Sequence, residues 1–114
     1  MYLRIWAFLV ACSGAPKDTG ALVVLDESEY LEQYPEAFCE LMASCDPEVF
    51  SDSYSGDVQL CIDDLTSWGR DRINRGCAFD GAAAGQCVTE LHDLSCDGWA
   101  SGENQASCGA IIEC

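Results

Sequence analysis

Nine cysteines in a chain of 114 residues constrain this fold more than anything else in the sequence. They stand at Cys12, Cys39, Cys45, Cys61, Cys77, Cys87, Cys96, Cys108 and Cys114. Such density is unusual in a reducing compartment. It is typical of small exported domains, whose cores are too small to hold without cross-links. A structural zinc site needs closer pairs, such as Cys-x2-Cys. Here five residues separate even the nearest cysteines, Cys39 from Cys45 and Cys108 from Cys114, and His92 is the only histidine. The pattern therefore predicts disulfides, with no metal and no cofactor. An odd count leaves one cysteine over.

The N-terminus supplies a use for it. Arg4 is a positive charge at the head of an apolar run, Ile5 to Ala11, which ends at Cys12 and the small, flexible Ser13-Gly14-Ala15-Pro16. A charged start, an apolar run and a small-residue exit are the plan of a secretory signal. Within it, Leu9-Val10-Ala11-Cys12 resembles the lipobox of bacterial lipoproteins: aliphatic, tolerant, small, then cysteine. That resemblance implies a diacylglyceryl thioether on Cys12, cleavage after Ala11 and acylation of the new amine. Two or three acyl chains anchor firmly where one holds only marginally. Ser13 is not the aspartate that retains many lipoproteins at the inner membrane, so the resemblance points to the outer membrane or cell surface. The apolar run is at the short limit for such a signal, and a start upstream of Met1 would lengthen it without moving Cys12. The alternative is that Ile5–Val10 is a buried element and Cys12 forms a disulfide.

Charge narrows the partners. Twenty acidic residues face five basic ones, a formal −15, and removing residues 1–11 takes away Arg4 and no acid. This surface repels nucleic acid, so DNA or RNA binding is excluded as a function class, whereas basic partners and divalent cations are attracted.

Residues 12–28 read as the lipidated cysteine and a tether, and residues 29–114 as the folded domain. As a flexible coil the tether spans roughly 20–25 Å. Ala21-Leu22-Val23-Val24-Leu25 is too apolar for a pure linker and predicts a short extended segment laid against the body. Beyond it, three stretches show helical periodicity. In the first, Leu31, Tyr34, Phe38, Leu41, Met42 and Cys45 share a face, with Ser28 as the expected cap and Asp46-Pro47 as the stop. Pro35 either kinks this helix or marks the first turn of one starting near Tyr34. In the second, Val58, Cys61, Ile62, Leu65, Trp68 and Ile73 recur after Asp57. Arg70, Arg72 and Arg75 then suit the C-terminal dipole, and Gly76 ends the stretch. In the third, Asp80 caps, Ala84, Cys87, Val88, Leu91 and Leu94 line a face, and Asp97-Gly98 closes it. A short fourth helix is expected over residues 105–112. Alternating strand patterns are scarce, so the predicted fold class is all-α: a small disulfide-rich bundle of three to four short helices.

Eight cysteines outside the lipobox permit more than a hundred connectivities. The expectation is Cys96 with Cys108 across the Gly-rich loop, and Cys39 or Cys45 with the second helix. The order of elements has its own resemblance. A lipobox, then Phe-Cys-Glu-Leu-Met-Ala-Ser-Cys, Cys-Ile-Asp-Asp-Leu, Cys-Ala-Phe-Asp, Cys-Val-Thr-Glu-Leu, Leu-Ser-Cys and a terminal cysteine is similar to the small Cys-rich lipoproteins of myxobacteria. It implies export and disulfides and carries no activity.

Catalytic patterns are sparse. His92 lies on the flank of its stripe, beside Asp93, and reads as a surface residue. Asp63 and Asp64 are adjacent on a helix and point in different directions, unlike a general acid–base pair. Residues 52–57 and 97–103 read as oxygen-rich loops without the spacing of a calcium-binding EF-hand. Trp99 is either an exposed contact or folded over a disulfide. The sequence therefore predicts no enzyme. It predicts a membrane-anchored, exported lipoprotein of the cell envelope with a binding or envelope role, or alternatively an extracellular disulfide-rich inhibitor or toxin-like effector.

Overall fold

Asp26 starts the first helix and ends an extended lead-in. Its carboxylate accepts the Glu29 N–H at 2.7 Å, while the Glu29 carboxylate accepts the Asp26 N–H at 2.9 Å. This reciprocal box satisfies two of the donors that a helix N-terminus leaves open. The expected cap, Ser28, falls inside the first turn instead, because Asp26 with Glu29 three residues later is the better pair. The computed structural model describes residues 23–103 and 105–114. The signal and lipobox, residues 1–11 with Cys12, and the first part of the tether lie outside the described residues.

Helix α1 runs Glu27–Cys45 as one piece, with Pro35 inside it and fully buried. A proline here removes the N–H that would have bonded the Leu31 carbonyl. The Thr66 hydroxyl, from the neighbouring helix, donates to that carbonyl at 3.5 Å. A long-range side chain thus stands in for a missing backbone bond, and the helix continues past the proline.

Pro47 ends α1 and at once occupies the first turn of α2 (Pro47–Tyr54), where its missing N–H costs nothing. Part of the supposed oxygen-rich loop, residues 52–54, is therefore helical. Ser55 and Gly56, both at positive φ, turn the chain. Asp57 then caps α3 (Val58–Asn74) by accepting the Gln59 and Leu60 N–H groups. After the left-handed Gly76, the strand β1 (Ala78–Phe79) leads to Asp80, which caps α4 (Gly81–Asp93) through the Ala83 N–H. Asp97-Gly98 does not close this stretch. The break is at Leu94, and Ser95 caps a separate helix α5 (Cys96–Ser101) by accepting the Gly98 N–H. The expected fourth helix is only α6 (Gln105–Cys108). The residues after it form β2 (Ile112–Glu113), antiparallel to β1 with Ala78 opposite Glu113.

The body is all-α apart from this two-stranded clasp, and α1 is its axis. α3 and α4 pack on α1, with α2 and α5 at its C-terminal end. The lead-in from Val23 to Leu25 lies across α4. The Leu25 N–H donates to the Gly81 carbonyl at 3.0 Å, and a Cβ at Gly85 would collide with the Val23 carbonyl. Two glycines one helical turn apart thus let an extended backbone lie directly on a helix.

Four disulfides staple these elements: Cys39–Cys61, Cys45–Cys96, Cys77–Cys114 and Cys87–Cys108. The link from α1 to the second predicted helix is present as Cys39–Cys61. The Cys96–Cys108 pairing is wrong. Cys96 joins Cys45 at the end of α1, and Cys108 joins Cys87, because α5 and α6 fold back onto different helices.

Candidate functional site

The eight cysteines of the body are all bridge-forming, so none of them offers a thiol for catalysis. Asp63 and Asp64 are solvent-facing on α3. His92 is exposed on α4, where it borders a shallow hollow of about 200 Å³ with Glu40 and Ser44 of α1. No hydrogen bond or ion pair joins these three side chains among the described residues. A nucleophile and its base need that contact or an approach to it. Trp99 is half-buried and folds back on the body, its ring 5.0 Å from that of Phe38.

A larger cleft, about 310 Å³, opens between α4 and the α5–α6 region and is lined by Thr89, Glu90, Asp93, Leu94 and Glu103. Two of its three carboxylates are already engaged. Glu90 accepts from the Ser107 hydroxyl at 2.6 Å and from the Gln86 amide at 3.0 Å, and Glu103 accepts from the Ser101 hydroxyl at 3.3 Å. The bond from Ser107 ties α6 to α4. Among the described residues, no three His, Cys, Asp or Glu side chains are placed to hold a metal ion.

The feature that sequence reasoning missed lies on the α1–α3 face. Tyr34, Asp64, Leu65 and Trp68 enclose a hollow of about 190 Å³. Periodicity assigned Tyr34, Leu65 and Trp68 to buried stripes, yet Trp68 is 44% exposed. The signal was available in the spacing. Asp64 and Arg72 stand four residues either side of Trp68, which puts charge above and below it on one helix face and marks a stripe edge, not its centre.

Each wall has a physical support. Tyr34 is stacked on Tyr30 at 5.3 Å and tilted against Phe38 at 5.6 Å, so its ring is fixed. Burial pushes its hydroxyl up from the ordinary 10.0 to about 12. Asp64 accepts the Tyr54 hydroxyl at 2.9 Å. Burial, followed by that bond to the carboxylate, raises the Tyr54 pKa. Arg72 lies with its guanidinium carbon 4.2 Å from the centre of the Trp68 ring, the geometry of a cation–π contact. Asp71 draws both Arg72 at 3.9 Å and Arg75 at 3.1 Å. The result is a small aromatic recess with one carboxylate in its wall, on the outside of a cross-linked bundle. Comparison with protein-family models, curated proteins and solved structures returns no match for this chain.

Proposed function

We propose that this chain is an exported lipoprotein, cleaved after Ala11 and lipidated on Cys12, whose disulfide-braced helical body serves as a non-enzymatic binding domain at the cell envelope. One observation carries the reading: the cysteine arithmetic. The four disulfides use eight of the nine cysteines, and the ninth, Cys12, stands at the end of an apolar run in Leu9-Val10-Ala11-Cys12. In an oxidising compartment a thiol without a partner in its own fold needs a separate role, and lipidation is one. A body whose cysteines are all bridged and that has an aromatic recess on its surface suits binding better than chemistry. Ser13 after the lipidated residue favours the outer membrane or cell surface. The acidic charge favours a protein partner over nucleic acid.

Intact-mass analysis of the membrane fraction tests the anchor. The expected species begins at Cys12 and carries diacylglyceryl and acyl groups, and Cys12→Ala moves the protein to the soluble fraction. A membrane-associated species that retains residues 1–11 with an unmodified Cys12 overturns the reading.

A further inference from the structure

We infer that the recess formed by Tyr34, Asp64, Leu65 and Trp68 is a docking site for a cationic side chain, an arginine in a basic segment of a protein partner. Its size sets the class of occupant. At about 190 Å³ it is smaller than pockets that hold metabolites, which run from roughly 300 Å³ upward. It matches one inserted side chain. The walls set the chemistry. Two aromatic rings favour a cation or a flat group, and the only charge among the lining residues is the Asp64 carboxylate. One Asp64 oxygen, Oδ2, receives the Tyr54 hydroxyl, so a neutral donor holds the carboxylate in place, and among the described residues no ion pair engages it.

The chain itself supplies a precedent at the same ring. The Arg72 guanidinium rests 4.2 Å from the Trp68 centre, so this indole already accepts a guanidinium in its own fold. Arginine is favoured over lysine because a planar guanidinium both stacks on an aromatic ring and pairs with a carboxylate. Charge complementarity supports the same partner. The chain carries 20 acidic residues against 5 basic ones, and such a field speeds the encounter with a basic surface. An exposed tryptophan beside a fixed tyrosine is also the composition of an interface anchor.

The site belongs to the folded body. It rests on the binding role proposed above and not on the anchor, so an unlipidated Cys12 leaves it unchanged. The test is a titration of the full, disulfide-bonded chain followed by NMR at the Trp68 indole N–H, assigned with Trp68→Phe. The probes are Nα-acetyl-arginine amide and its neutral isostere Nα-acetyl-citrulline amide. Arginine amide is expected to give a saturable shift at Trp68, and citrulline amide none. Asp64→Asn, a surface change that preserves shape, is expected to weaken arginine binding about tenfold. Equal responses to the two probes overturn the proposal, as does undiminished binding by Asp64→Asn or a response confined to Trp99. A Trp68 shift that grows with protein concentration alone assigns the recess to a second copy of the chain, and one produced only by phosphatidylcholine vesicles assigns it to lipid. Either also overturns it. If arginine gives no response while Cys12 is lipidated in the membrane fraction, the site is lost and the anchored reading stands.

Discussion

Helix α1 serves two apolar clusters that are held on different terms. The larger cluster draws on the lead-in, both long partner helices and the strand clasp. Leu25, Tyr30, Ala37, Val88, Leu91 and Ile111 are buried there, with Phe38, Ile73 and Phe79 packed around them. The smaller one, on a neighbouring face of α1 toward its C-terminus, buries Cys39, Phe50 and Cys61, and two of those three are the halves of one disulfide. The first is a core that a disulfide reinforces. The second is a disulfide that collects a core around it, with Met42, Tyr54, Val58, Ile62 and Leu65 as its half-buried wall. Burying a side chain such as phenylalanine contributes roughly 1.5–3 kcal/mol, so one buried ring is a thin hold for α2.

Two bridges make this contrast measurable, because they close loops of nearly the same length. Cys39 and Cys61 are 22 residues apart, Cys87 and Cys108 are 21, and one pair sits in each cluster. Loop-closure entropy alone assigns each about 3 kcal/mol. Replacing Cys87 and Cys108 by alanine is expected to lower stability by about that amount, with the body still unfolding as one unit. The same change at Cys39 and Cys61 should lower it by more than about 3 kcal/mol, since it also empties most of the small cluster. Urea unfolding gives the two losses, and native-state hydrogen exchange should show the α2 amides opening before the rest. Equal losses, with α2 exchanging at the global rate, would show that the clusters form a single cooperative unit.

The second effect acts on the larger cluster from outside. Leu25 is only 5% exposed, yet it reaches the core on an extended segment that crosses α4 at Gly81 and Gly85. Gly85→Ala puts a methyl group into the Val23 carbonyl. The helix gains about 1 kcal/mol from alanine. If the segment lifts, about 2 kcal/mol of Leu25 burial is lost, together with its bond to Gly81. The net expected loss is about 1–2 kcal/mol, with the Leu25 amide becoming exchangeable while α2 is unaffected. A stabilised variant with a protected Leu25 amide would show that the lead-in shifts along α4 at no cost.

The contrast between the clusters also explains what the sequence disclosed. The long helices of the larger cluster were legible because 13 to 19 residues repeat a face several times and end in strong signals such as Asp57, Gly76 and Asp80. Helix α2 was hidden. It spans only eight residues, and its first residue, Pro47, is the same residue that stops α1. Pairing was legible only as a link from α1 to α3: the apolar stripe carried Cys45, but Cys39, beside Phe38, is the residue that meets Cys61. Cys45 and Cys96 are 51 residues apart, and loop entropy rises too slowly with length for proximity along the chain to choose partners. The recess escaped for a related reason. Periodicity says which residues share a face, and the packing of Tyr34 against α3 decides which of them stay uncovered.

The two clusters also differ in how they answer to alkali, an effect that vanishes at neutral pH. Tyr30 and Tyr34 stack in the larger cluster, and Tyr54 flanks the smaller one. Burial raises all three hydroxyls. Tyr34 reaches about 12, and Tyr30 is pushed up mainly by burial and then by Tyr34 beside it. A tyrosine is neutral when protonated, so a raised value means that the folded state holds the proton more tightly than the unfolded chain, which ionises near 10. The stability owed to this preference is fully present below pH 10. It falls as the pH climbs from 10 toward 12, because only the unfolded chain gains from losing protons there. Urea midpoints across this range should drop for the unmodified protein. Tyr34→Phe is expected to flatten the decline more than Tyr54→Phe does, since burial carries the Tyr34 hydroxyl to about 12 while the more exposed Tyr54 is raised less. If Tyr54→Phe flattens it more, the bond to Asp64 holds the Tyr54 proton more tightly than burial holds that of Tyr34, and the smaller cluster is the more alkali-sensitive of the two.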